Sequence, residues 1–130
     1  MNYEFSAYGH PNITARHRTT LEFTKDREAT ANGDCIVGVK ADFELPELKK
    51  FLSCGRIRIG ISVAGMTEEI TATPNPGFSS SHEMVIRKTE FASARTFAVR
   101  ADKSSCEISR SMAAALKAEE AEIRVNVTAY

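Results

Sequence analysis

The sequence predicts an α+β fold of mostly antiparallel β-strands, built from two copies of a β-β-β-α-β unit. Two observations support this prediction: an internal repeat, and alternating apolar residues within short segments of each copy. Residues 5–24 (FSAYGHPNITARHRTTLEFT) align without a gap with residues 70–89 (ITATPNPGFSSSHEMVIRKT). The identical pairs are Ala7 with Ala72, Pro11 with Pro76, His17 with His82, and Thr24 with Thr89. We therefore expect one domain, residues 1–130, whose internal repeat covers approximately 3–65 and 68–130.

In the first half, the segments that carry these patterns are 2–8, 17–24, 35–42, 45–53 and 56–64. The first segment alternates, so that Tyr3, Phe5 and Ala7 share one face of a strand. The second and third are rich in the β-branched and aromatic residues that strands favour. The fourth, LPELKKFLS, has leucines at helical spacing and places Pro46 in the first turn, where proline is tolerated. The fifth alternates again and closes the unit.

The second half shows the same order of patterns, with strand segments at 82–89, 95–102 and 122–130. Its helical segment begins at Ser104, which has capping-box spacing to Glu107. Ile108, Met112 and Leu116 follow on one helical face. We expect the two halves to be related by a pseudo-two-fold axis and to close a β-barrel with two helices, because closure removes exposed strand edges. The alternative is an open sheet, or a pair of sheets, with two helices on one face.

Composition excludes several classes of protein. The chain has 130 residues, 42% hydrophobic and 26% charged, as globular proteins do. Lys+Arg and Asp+Glu are 17 each, and this zero net charge argues against a nucleic-acid partner. No apolar run is long enough to cross a bilayer, and no signal peptide is evident. The three cysteines form no CxxC pair, which indicates reduced thiols. We predict a cytoplasmic protein with no membrane segment and no cofactor.

The segment YGHPNITARHRTTLEFTKD, with GDCIVGVKAD shortly after it and FAVRADK in the second half, resembles a small archaeal family described as a domain of unknown function. The resemblance covers essentially the whole chain. It implies an archaeal, cytoplasmic protein. It implies no activity, substrate or cofactor, so candidate site residues have to be argued from their chemistry.

The loop after the first strand concentrates polar groups, and loops carry binding residues more often than strands do. Imidazole can act as a base, ligand or donor near neutral pH, and arginine offers a fork of donors to a carboxylate or phosphate. We therefore predict an anion-binding rim on this loop, with Lys25 and Asp26 as further candidates. Its predicted ligand-binding residues are His10, Asn12, Arg16, His17 and Arg18. The structural alternative is that Pro11 and Asn12 form a turn and the histidines cap backbone groups.

Three alternatives concern catalysis, metal binding and macromolecular partners. His10 or His17 together with Asp42 could form an acid–base pair if the structure brings them within hydrogen-bond reach. Asp42 and Asp102, each at a strand end before a helix, are typical of helix caps, and the alternative is a carboxylate pair across the pseudo-axis that serves acid–base chemistry. His17 and His82 could face each other across the pseudo-axis, but no further ligands are apparent, so no metal is predicted. We favour a non-catalytic binding module for a small anionic ligand or partner over a small enzyme or an RNA or protein adaptor.

Overall fold

A computed structural model describes residues 1–130. The first half contains β1 (Asn2–Tyr8), β2 (Thr20–Thr24), β3 (Ile36–Gly38), α1 (Leu45–Lys49) and β4 (Ile57–Val63). The second half contains β5 (Met66–Pro74), β6 (Glu83–Arg87), β7 (Thr96–Val99), a 3₁₀ turn (Ser105–Glu107), α2 (Arg110–Ala115) and β8 (Glu122–Ala129). Each half thus has the β-β-β-α-β order.

The predicted β-barrel is wrong. The eight strands form one sheet in the order β1-β8-β4-β5-β7-β6-β2-β3, with β1 and β3 at its edges. No ladder joins these edges, which meet through one isolated pairing of Tyr8 with Val39, with N···O distances of 2.8 and 2.9 Å. β3 has three residues, and the chain then turns away at Lys40, whose φ is 53°. β3 is therefore too short to form a ladder with β1, and the open sheet is the arrangement present.

The sheet is mixed, and its two parallel pairs are not evident in the sequence pattern. β2 pairs in parallel with β3, and β6 pairs in parallel with β7, whereas the other ladders are antiparallel. Both parallel pairs contain a register shift. Because parallel neighbours cannot be joined by a tight hairpin, a longer connection separates the strands of each pair.

The chain leaves β3 and β7 through the same hydrogen-bonding arrangement. Asp42 Oδ1 accepts from the Ser6 N–H at 2.7 Å, and the Asp42 N–H donates to the Ser6 carbonyl at 3.0 Å. In the second half, Asp102 Oδ1 accepts from the Thr71 N–H at 3.0 Å, and the Asp102 N–H donates to the Thr71 carbonyl at 3.1 Å. These equivalent contacts support the internal repeat, which stays a prediction.

Both helices are shorter than the sequence pattern predicts. After α1, the N–H groups of Lys50, Phe51 and Leu52 donate to carbonyls three residues back, so the segment tightens into a 3₁₀-like end. The second helical segment is divided in two. Ser104 and Glu107 form the expected capping box, with Ser104 N–H donating to Glu107 Oε1 at 3.0 Å, but it begins the 3₁₀ turn. α2 begins separately, where Ser109 Oγ accepts from the Met112 N–H.

One continuous hydrophobic core of 32 buried residues contains side chains from both halves. Phe5 makes edge contacts with Phe23 and Phe43, with ring centroids 5.8 and 5.6 Å apart. In the second half, Phe78 and Phe97 form an aromatic pair with ring centroids 5.2 Å apart. Because these side chains are large and fully or nearly fully buried, their packing contributes much of the apolar burial. No helix has the length and apolar character that crossing a membrane requires.

We expect Asp42→Ala and Asp102→Ala each to lower the free energy of unfolding by about 1 kcal/mol, because each leaves a backbone N–H without its charged acceptor. Denaturant unfolding followed by circular dichroism measures the loss. Asp34→Ala is the matched control, since the Asp34 carboxylate makes no hydrogen bond or ion pair. Equal stability of all three variants would contradict the role given to the two aspartates.

Candidate functional site

The loop between β1 and β2 is fixed to the end of α2 by a close backbone approach at Gly9. A Cβ atom on Gly9 would lie 2.3 Å from the Ala118 carbonyl oxygen and 2.6 Å from that of Leu116. Glycine is therefore required here by space. The Gly9 and His10 N–H groups donate to the carbonyls of Ala121 and Leu116 at 3.0 and 2.9 Å. These contacts hold the start of the loop against the end of α2.

Further along, the 3₁₀ turn holds the same loop through buried Ser105. Its Oγ accepts from the His17 N–H at 3.0 Å and donates toward the carbonyls of Thr20 and Asp34, at 2.9 and 3.2 Å. The Cys106 N–H donates to the His17 carbonyl at 3.0 Å. The backbone at His17 is thereby fixed, although its side chain is partly exposed.

Arg110, the first residue of α2, is anchored by carbonyl oxygens and not by a carboxylate. Its Nη2 carries two protons and lies among four carbonyl oxygens, at 3.0 Å from those of Ala15 and Ile108 and at 3.2 and 3.3 Å from those of Ser105 and Cys106. Ala15 is fully buried with a φ of 50°, a conformation that is strained for a residue with a Cβ. This strained turn places the residues on either side of Ala15 next to α2.

A cleft of about 320 Å³ lies between this loop and α2. Its lining residues are Thr14, Arg16, Arg110, Ala113, Ala114 and Lys117. The three cationic side chains form no ion pair with any carboxylate of the chain. No acidic residue lines the cleft, so its electrostatic potential is positive and favours an anion.

Lys117 and Thr14 complete the walls of this cationic cleft. Lys117 Nζ donates to the Pro11 carbonyl at 3.3 Å, which holds the ammonium group beside the loop. Thr14 Oγ1 is shielded from solvent and has no hydrogen-bond partner, so this hydroxyl is not exposed to a ligand in the cleft.

Two other clefts are lined by both acidic and basic side chains. One, of about 500 Å³, is lined by His10, Arg27, Glu28, Lys40 and Glu119. Another, of about 340 Å³, is lined by Tyr8, Lys40 and Glu120, and the last two form an ion pair at 3.6 Å. Because acids offset the cations in both, they favour an anion less than the cationic cleft does.

The five residues of the predicted rim do not lie together in the structure. His10 lines the 500 Å³ cleft, and its Nδ1 accepts from the Asn12 N–H at 3.1 Å. Asn12 Nδ2 donates to the Ala29 carbonyl at 3.0 Å. His17 Nδ1 accepts from the Thr19 N–H at 3.2 Å, and Arg18 makes no side-chain hydrogen bond or ion pair. Of the five predicted ligand-binding residues, only Arg16 lines the cationic cleft.

The remaining candidates have structural partners. Lys25 Nζ lies over the Phe43 ring, 4.6 Å from its centroid. Asp42 hydrogen-bonds Ser6 and makes no hydrogen bond to His10 or His17, its partners in the alternative acid–base pair. The histidine–carboxylate pair that is present joins His82 Nε2 to Asp26 Oδ1 at 2.7 Å. Its two side chains are 54% and 60% exposed, so no enclosed pocket surrounds it.

Arg110, Lys117 and Thr14 are the cleft residues that the sequence interpretation missed. Arg110 and Lys117 are seven residues apart, and Ala113 and Ala114 lie between them at the spacing of one helical face. A helical face with small residues between two cations was therefore a signal available in the sequence. Nothing in the sequence shows that this face lies against Thr14 and Arg16.

Comparison with known proteins assigns the chain to a family. Residues 5–130 match the domain of unknown function DUF371. The chain belongs to the DUF371 family. A protein of Methanocaldococcus jannaschii described as uncharacterized is 33% identical over 124 residues, which cover 90% of this chain and 92% of that relative. The resemblance seen in the sequence is thus confirmed.

This DUF371 chain also contains a pair of carboxyl groups, one buried and one partly exposed, that do not line the cationic cleft. Glu22 on β2 is 5% exposed and lies against Glu83 on β6. Arg95 Nη1 lies 2.7 Å from Glu83 Oε2 and 3.7 Å from Glu22 Oε1. The Cys35 thiol donates to Glu22 Oε1 at 3.6 Å.

Burial, together with the hydrogen bond to Glu83 and its negative charge, raises the pKa of Glu22 to about 7, although Arg95 and the Cys35 thiol oppose the shift. Burial alone would raise the pKa of Glu83, but the hydrogen bond from Glu22 and the charge of Arg95 lower it. Burial and Glu22 raise the pKa of Cys35 to about 12, so Cys35 remains a neutral donor. Glu22 is therefore the member of the pair that holds the proton.

The Glu22 pKa predicts a pH-dependent stability. A carboxyl whose pKa is higher in the folded state stabilises the fold below its unfolded pKa of about 4.5. That contribution is lost as the pH rises through about 7. We expect Glu22→Gln to raise Tm by several degrees at pH 8, because the amide needs no proton, and to change it little at pH 5.

Thermal unfolding from pH 5 to pH 8 measures this effect. Glu44→Gln is the matched control, because the Glu44 side chain is exposed and makes no hydrogen bond or ion pair. Parallel Tm profiles for the wild type and Glu22→Gln would show that Glu22 does not titrate in this range.

Proposed function

We propose that this protein is a non-catalytic binding module for a small anionic ligand, which it holds in the cationic cleft. One observation supports this function above the others. Arg16, Arg110 and Lys117 line one cleft, and none of them has a carboxylate partner. The chain as a whole is neutral, so this local excess of positive charge is not a consequence of a basic composition. An anionic ligand would supply the missing counter-charge.

The lining residues favour binding over catalysis. Catalysis by acid–base or nucleophilic chemistry needs a histidine, carboxylate, thiol or activated hydroxyl near the ligand. The cleft is lined by threonine, arginine, alanine and lysine, without a base close to the Thr14 hydroxyl. Its positive groups are donors that orient an anion but do not abstract a proton.

The anchoring of the cleft supports its role as a preformed site. Arg110 is held by four carbonyls, Lys117 by Pro11, and the loop backbone by Ser105. Because these groups are already ordered, binding loses less conformational entropy than it would on a free loop. We also propose a cytoplasmic location, which the three free cysteines support.

The double variant Arg16→Ala/Lys117→Ala should lose most anion-dependent stabilisation, because it removes two of the three charges that attract the ligand. The probes are inorganic phosphate and citrate at constant ionic strength, which separates specific binding from screening. The shift of Tm with ligand concentration reports the affinity. We expect the wild type to be stabilised and the double variant to be at least tenfold less responsive.

Lys49→Ala/Arg56→Ala is the matched control, since it removes two exposed cations that have no carboxylate partner and lie outside the cleft. If the rim predicted from the sequence bound the anion instead, His10→Ala/Arg18→Ala would abolish the anion-dependent shift of Tm. No stabilisation of the wild type by either anion would exclude the proposed function.

A further inference from the structure

The donors of the cationic cleft are more numerous than a carboxylate can use. Arg16 offers its guanidinium, Arg110 retains Nη1 and Nε beyond the Nη2 bound to carbonyls, and Lys117 offers an ammonium group. A carboxylate presents two oxygens in a plane, whereas a phosphoryl group presents three terminal oxygens and carries a charge of about −1.5 to −2 at pH 7.

From this donor set we infer that the ligand is a phosphomonoester, bound through its dianionic phosphoryl group. This inference rests on the proposed function, because it assigns the chemical class of the anion in the same cleft. Three cations without an acid match a dianion better than a single carboxylate, and arginine forks fit phosphoryl oxygens in a bidentate geometry.

The rest of the cleft limits the remainder of the ligand. Its volume of about 320 Å³ is at the low end of the range for small-molecule sites, roughly 300–1,000 Å³. Ala113 and Ala114 provide small side chains on the helical wall between Arg110 and Lys117. A compact organic group attached to the phosphate fits beside these methyl groups, whereas a long polymer has no groove to follow.

Arg16 provides a variant that separates ligand binding from folding. Its guanidinium group makes no hydrogen bond or ion pair within the protein, so Arg16→Gln removes the charge without removing an internal contact. We expect Arg16→Gln to leave Tm of the free protein unchanged and to weaken methyl phosphate binding by about tenfold. Thr14→Val is the matched control and should leave the affinity unchanged, because Thr14 Oγ1 is shielded from solvent. An unchanged affinity of Arg16→Gln would count against the inference.

The class of ligand is tested by titrating the full chain with methyl phosphate, sulfate and acetate, following the backbone amide resonances of residues 14–17 and 110–117. We expect methyl phosphate to bind at least tenfold more tightly than acetate at pH 7.5. Its affinity should fall by nearly tenfold at pH 5, because its second pKa is about 6 and most of it is then a monoanion. Sulfate remains a dianion and should show no such fall.

The outcomes distinguish the inference from the function on which it rests. Equal affinities for acetate and methyl phosphate, or a pH-independent affinity for methyl phosphate, would overturn the phosphomonoester and leave anion binding intact. The absence of shifts with all three probes would overturn both. A 5′-phosphorylated oligonucleotide that bound more tightly than methyl phosphate would overturn the small-molecule ligand, whereas weaker binding than methyl phosphate would support it.

Discussion

Two aspartates at the ends of short strands determine how the chain leaves the sheet. Asp42 and Asp102 each satisfy a backbone N–H of the strand that begins their own half and donate their own N–H to the same residue. The preceding residues Lys40 and Arg100 have φ values of 53° and 54°, so each turn is strained as well as hydrogen-bonded. The helical segments and the closing strands are reached through these turns. These contacts also cover part of the β1 edge. Asp42 accepts a hydrogen bond from the Ser6 N–H, and the Glu44 N–H donates to the Tyr3 hydroxyl.

The cationic cleft depends on these turns indirectly, because the chain reaches the 3₁₀ turn and α2 after the turn at Asp102. The loop after β1 is held by α2 at its start, by Ser105 at its end and by Arg110 at the strained Ala15. Eight of the other cations pair with carboxylates, and those pairs lie largely on the exposed surface, where each contributes little to stability. The charges that remain without carboxylate partners are therefore the ones available to a ligand. The cleft gathers three of them on an ordered framework.

Part of the site was accessible from the sequence and part was not. Arg16 was identified because arginine in a loop is a good donor to anions, and that reasoning needs no fold. The histidines were given too much weight: His10 Nδ1 caps a turn as Asn75 Oδ1 does in the second half, where it accepts from the Gly77 N–H at 3.1 Å. Glu22 alternates with Leu21 and Phe23, a pattern that predicts an exposed carboxyl. It is buried because Cys35, Glu83 and Arg95 come from other segments to cover it.

Local patterns determined the element order of this protein, because strand and turn geometry depend on neighbouring residues: alternation fixed β1 and the closing strands. The capping-box spacing marked Ser104 as the start of a helix, whereas the structure has a 3₁₀ turn there and a helix only from Arg110. Only the tertiary structure decided that β2 and β6 each have a parallel neighbour, that β1 and β3 remain sheet edges, and that Arg110 and Lys117 face Thr14 and Arg16. Those features arise from contacts between segments far apart in the chain. The short strands β3 and β7, and the strained turns that follow them, determine the geometry of these contacts. Periodicity along the sequence carries no information about them.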